Sequence, residues 1–192
     1  MTQMAETNRR RLREVALQQY GYFTTRDAAR LSISLNALNA LVQWGGITRT
    51  AYGVYRFDAD DIPVTGREGY MEAVLAVGPG AFLYADAVLA LHDLALVNPV
   101  RIRVGSARRV RKGTLPPTIS IVRVHVPEED LEVYEGIPCT TVARALLDCV
   151  GIVMTDRLID AANDAAERGL LRRKEREGVL AQLEGPRIDS PA

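Results

Sequence analysis

The chain has 192 residues, 47% of them hydrophobic and 25% charged, with 24 basic side chains balancing 24 acidic ones. A chain of this length buries about 70% of its unfolded surface, so it needs neither disulfide nor metal to hold a core, and its composition excludes wholesale disorder. The longest apolar stretches are broken by Asp86, His92, Asp93 and Asp148, and Met1–Glu6 carry no basic-then-apolar leader, so a soluble, cytoplasmic protein without a membrane span is expected.

The neutral total hides an uneven distribution. Residues 1–57 hold eight arginines against Glu6, Glu14 and Asp27, a net charge of +5, so residues 58–192 sum to −5. The stretch from Asp58 to Gly66 turns acidic and carries Pro63 and Gly66, the signature of a linker. The expected division is a module over 1–62, a second over 63–185 and a tail over 186–192.

Leu12, Val15, Ala16 and Gln19 recur at helical spacing and predict a first helix from about Thr7 to Gln19, ended by Gly21. Thr24 or Thr25 can cap a short helix running from Arg26 to Leu31, with Asp27 at its positive end. After the turn Ser32-Ile33-Ser34, Ser34 caps a third helix, Leu35 to Trp44, which Gly45-Gly46 stops. Residues 47–50 and 54–57 read as strands joined at Ala51-Tyr52-Gly53. Three helices followed by a hairpin make a winged helix-turn-helix.

The third helix has two faces. At about 100° per residue, Asn39, Gln43 and Ala40 fall within about 60° of Asn36, whereas Leu35, Leu38, Leu41 and Val42 lie about 100–160° away. Asn36, Asn39 and Gln43 therefore form an outward amide stripe. An amide donates and accepts at once, which the N6/N7 edge of adenine requires. The stripe is uncharged, so nearby cations must supply the phosphate contacts. Ser34, Arg49, Tyr52 and Arg56, with Arg9 and Arg10 on the first helix, complete the candidate DNA-binding set. Winged helices also serve as protein-interaction modules.

In the second module, residues 68–77 predict a helix stopped by Gly78-Pro79-Gly80, and a second is expected from about Tyr84 or Asp86 to Leu94. Residues 101–104 and 119–126 alternate like strands, residues 131–134 and 137–139 suggest a hairpin, and Thr141 caps a helix over 142–150. The remainder, 156–183, is helical with a break near Gly169. The fold class is α+β: a winged helix-turn-helix, then a mixed α+β domain with a small antiparallel sheet and terminal helices. Residues 101–112 hold six basic groups and no acid. Arg108, Arg109, Arg111 and Lys112 are thus either a second nucleic-acid or partner patch or a solvated turn. Arg172, Arg173, Lys174 and Arg176 are interleaved with Glu175 and Glu177 and read as a solvated face.

Catalytic and metal-binding patterns are sparse. Cys139 and Cys149 read as buried reduced thiols, and with His92 and His125 they match no metal-ligand spacing. His92 beside Asp93 reads as structural, since neither histidine has the partners of a triad. No cofactor, metal or catalytic residue is expected.

The run Phe23-Thr24-Thr25-Arg26-Asp27-Ala28-Ala29 through Gly53-Val54-Tyr55-Arg56-Phe57 resembles the start of AbiEi-type antitoxins of bacterial type IV toxin–antitoxin systems. The segment from Glu135 to Asp148 (EGIPCTTVARALLD) is similar to a stretch of their C-terminal domain. The two segments frame about residues 10–180. The resemblance implies an N-terminal domain that binds inverted repeats in its own promoter as an autorepressor. It also implies a C-terminal domain needed to neutralise a cognate nucleotidyltransferase-like toxin, with or without direct contact. The toxin's own chemistry needs a Gly-Ser turn followed about ten residues on by paired carboxylates. Gly105-Ser106 is present, but the next acid is Glu128 and no Asp-x-Asp pair follows, so the chain reads as a non-enzyme. The alternative is a winged-helix transcriptional regulator whose second module senses a ligand or partner.

Overall fold

The computed structural model describes residues 3–110 and 115–185. It is an α+β protein built around two hydrophobic cores, each with its own sheet.

The first core gathers Leu12 and Ala16 of α1 (Gln3–Leu17), Ala28 of α2 (Thr25–Arg30), and Leu38 and Leu41 of α3 (Leu35–Gln43). These helices pack on three antiparallel strands, β1 (Tyr22–Thr24), β2 (Ile47–Ala51) and β3 (Val54–Phe57), in the order β1-β3-β2. Phe23 stacks on Tyr55 with ring centroids 5.5 Å apart and meets Phe57 at the same distance. Capping is side-chain driven. The Thr24 hydroxyl accepts from the Asp27 amide at 3.2 Å while the Asp27 carboxylate accepts from the Thr24 amide at 2.9 Å, a reciprocal box that satisfies two otherwise orphaned donors of α2. Ser34 Oγ accepts from the Ala37 amide at 3.2 Å and starts α3.

Side chains alternate across a strand, so β3 serves two masters. Tyr55 and Phe57 face the helices and the first core, whereas Val54, with Tyr22 from β1, belongs to the second core.

That second core is larger. Strands β4 (Phe82–Leu83), β5 (Ile102–Ser106), β6 (Ile119–Arg123), β7 (Leu131–Tyr134) and β8 (Ile137–Thr140) form one sheet in the order β6-β5-β4-β8-β7. The expected small antiparallel sheet is in fact mixed: β5 runs parallel to β6 and β4 parallel to β8, with antiparallel pairs at β4–β5 and β7–β8. β4, two residues long, joins the two halves from the middle of the sheet. Around it pack α4 (Glu68–Val77), α5 (Asp86–Leu91), α6 (Val142–Asp148), α7 (Thr155–Glu167) and α8 (Arg173–Glu184). Gly105 and Ser106 lie inside β5 rather than in a turn, and a Cβ on Gly105 would come within 2.3 Å of the Phe82 ring. Among the described residues no helix is long and apolar enough to cross a membrane.

The two modules meet along a polar seam. The Tyr20 hydroxyl donates to the Glu135 carbonyl at 2.9 Å, and Arg67 pairs with the Glu135 carboxylate while lying 5.3 Å from the Tyr134 ring centroid. The Tyr22 hydroxyl donates to Glu72 of α4 at 3.4 Å. His92, only 2% exposed, sits 4.1 Å from the Tyr134 ring, and neither of its nitrogens has a hydrogen-bond partner among the described residues. Burial first, then the cations of Arg168 and Arg67, lower its pKa to about 4, so the ring is neutral.

Candidate nucleic-acid interface

The third helix presents the surface that its spacing predicts. Asn36, Asn39 and Gln43 are exposed, while Leu38 and Leu41 on the opposite side are buried. Leu35 departs from the expected pattern. Assigned to the apolar side, it is 62% exposed, because Ser34 caps the helix at that point and the core lies further along, under Leu38. Its outward position is legible in hindsight: at about 100° from Asn36 it sits on the border of the two faces.

The remaining members of the candidate set separate into two groups. Arg49 and Tyr52 stand at the wing tip. Arg49 is exposed, its guanidinium carbon lies 5.5 Å from the Tyr52 ring centroid, its Nε donates to the Ala51 carbonyl at 3.3 Å, and Tyr52 is 73% exposed. Arg10 is exposed on α1. These groups remain available to an anion.

Arg56, Arg9 and Ser34 are occupied inside the protein. Arg56 pairs in register with Tyr22, on the sheet face turned toward the second module, and its guanidinium carbon lies 5.6 Å from the Tyr22 ring centroid. Its Nε and Nη2 are buried, so it does not share the surface of Arg49; alternation along β3 puts it on the other side of the sheet from Tyr55. Arg9 is a fastener: it donates to the Gly45 carbonyl at 3.0 Å, pairs with Asp61 at 2.5 Å and lies over the Phe57 ring. Arg13 reinforces it through the Asp61 carbonyl at 3.0 Å. Ser34 is exposed, but its hydroxyl is engaged in the cap.

Of the second basic patch, Arg108 and Arg109 are exposed, and Arg111 and Lys112 lie outside the described residues. The Arg108 amide donates to Ser106 Oγ at 3.2 Å, and Arg103 is committed to Asp86 at 2.8 Å. Arg173 pairs with Glu177, and Arg176 donates to Asn163. Cys139 and Cys149 are buried free thiols, each pushed up to about 12, chiefly by burial.

The first module thus exposes an amide stripe on the third helix and, on the strand hairpin that follows it, the cation of Arg49. Residues 10–57 match the family model described as transcriptional regulator, AbiEi antitoxin. Over that stretch the first module is similar to AbiEi antitoxin transcriptional regulators. The match runs from the middle of α1 to the end of β3, covers the amide stripe and the wing, and stops before the second module. None of the curated proteins matches the chain.

Proposed function

We propose that this protein represses its own promoter by binding inverted repeats through the first module, and that it is the antitoxin of a cognate nucleotidyltransferase-like toxin. The observation that carries the DNA-binding part is the stripe of Asn36, Asn39 and Gln43, exposed together on a helix whose other side is anchored in the core. Asn36 and Asn39 reach base edges. Arg10 holds phosphates and helps set the register, and Arg49 on the wing meets the adjacent minor groove. Arg108 and Arg109 extend the basic surface from the second module. The AbiEi antitoxin match supports the pairing with a toxin.

A mobility-shift assay with the gene's own upstream region tests the first part. Binding that weakens steeply between about 50 and 200 mM salt is expected. No shift, or a salt-insensitive one, overturns it. Growth rescue on co-expression with the neighbouring gene's product tests the second part, and persistent toxicity overturns it. The alternative of a ligand-sensing regulator draws on one feature, a crevice between α2 and α4 lined by Gln19, Arg26, Arg30, Gly78 and Pro138. A small molecule that releases the operator would favour it.

A further inference from the structure

We propose that the operator half-site is rich in A·T pairs, and that Leu35 sets part of this preference by packing on a thymine methyl group. The inference rests on the DNA-binding reading above and specifies what that surface recognises.

Guanine in the major groove offers two acceptors, O6 and N7, which arginine or lysine reads best. The third helix, Leu35-Asn36-Ala37-Leu38-Asn39-Ala40-Leu41-Val42-Gln43, contains neither. What it turns outward is three amides and one alkyl group. The amides match adenine, which presents a donor and an acceptor side by side. The alkyl group matches thymine, whose C5-methyl is the one apolar feature of the groove. Leu35, Asn39 and Gln43 follow one another at intervals of four residues and therefore form a single row on the helix. That row spans about 12 Å, the length of roughly four base steps. Leu35 has given up core burial to sit at its head, 62% exposed.

The wing carries the same preference independently. A·T tracts narrow the minor groove and deepen its negative potential, which draws in arginine. Arg49, braced against the Tyr52 ring at the exposed tip of the β2–β3 hairpin, is the side chain shaped for that groove. Both elements select for one base composition, one through methyl and amide contacts and the other through groove width.

The experiment uses the full-length protein in two steps. Selection from a random duplex pool should enrich A·T pairs across a core of about four base pairs in each half-site. Within the selected site, thymines are then replaced one at a time by uracil, which removes the methyl and nothing else. One position should cost the wild-type protein about four-fold in affinity, the equivalent of one buried methylene. Leu35→Ala should bind the thymine site about as weakly as wild type binds the uracil site, with no further uracil penalty. Because Leu35 is exposed, that variant should melt like wild type, and circular dichroism checks it. A G·C-rich core, or a uracil penalty undiminished in Leu35→Ala, overturns the inference while leaving DNA binding intact. Failure to enrich any sequence overturns the DNA-binding reading beneath it.

Discussion

The Tyr20 hydroxyl donates to the main-chain carbonyl of Glu135, 115 positions further along the chain, at 2.9 Å. Tyr20 belongs to the turn that leads into the first module's sheet, and Glu135 to the β7–β8 turn of the second. Glu135 and Gly136 hold φ of 48° and 84°, the left-handed pair of a two-residue hairpin turn. The carbonyl is thus presented by a rigid element, and the bond fixes one module against the other. Tyr20→Phe should cost about 0.5–1.5 kcal/mol, the net worth of one hydrogen bond, in urea unfolding. No change in midpoint would show that the bond adds nothing to the seam.

Arg49 and Arg56 stand on the two strands of one hairpin, β2 and β3, with opposite roles. Arg49→Ala should leave stability within about 0.5 kcal/mol and lower the salt slope of DNA binding by about one, as expected for one cation held between the phosphates that flank the minor groove. Arg56→Ala should leave the slope unchanged and destabilise the fold by about 1–2 kcal/mol, through lost packing on Tyr22. Paired thermal melts and salt-dependent binding isotherms separate the two, and an exchange of phenotypes would reverse the assignment.

Gly105 leaves room for a ring. With a Cβ at 2.3 Å from Phe82, Gly105→Ala must push a buried aromatic out of place, at a cost of about 1–3 kcal/mol. Phe82→Leu in the same background should recover part of the loss. A Gly105→Ala protein as stable as wild type would contradict this packing.

His92 makes stability depend on pH. The folded ring stays neutral to about pH 4, whereas in the unfolded chain it takes up a proton below about 6.5. Between those values the unfolded state binds more protons, so stability falls as pH drops from about 6.5 to 4, by up to roughly 3 kcal/mol. Denaturant titrations across that window should show a shallower fall for His92→Leu than for wild type. Parallel curves would assign the acid sensitivity to other groups.

Local chemistry made much of the fold legible. The Ser34 cap, the Gly45-Gly46 stop and the hairpin turn at Glu135-Gly136 each act within a few residues and stand where the spacing put them, and of the two threonines open as the cap of α2 the fold uses Thr24. The strands β1 and β4 were not legible. At three and two residues they are too short to show an alternating pattern, and they exist only because distant strands pair with them. The amide stripe followed from helical arithmetic alone. Arg56 did not, since its role depends on which side of β3 the second module covers. Alternation with Tyr55 and Phe57 did hold the clue that it points away from the helices.

Tyr22 and Val54 lie within the stretch matched to AbiEi antitoxin regulators, yet they find their packing neighbours beyond it. The first module, the proposed DNA-reading head, is consequently not a portable cassette. Transplanted onto another scaffold, or expressed as residues 1–66, it would carry a bare tyrosine and valine and an Arg56 stripped of its shelter. A working chimera must bring α4 along, or replace those side chains with ones that tolerate water.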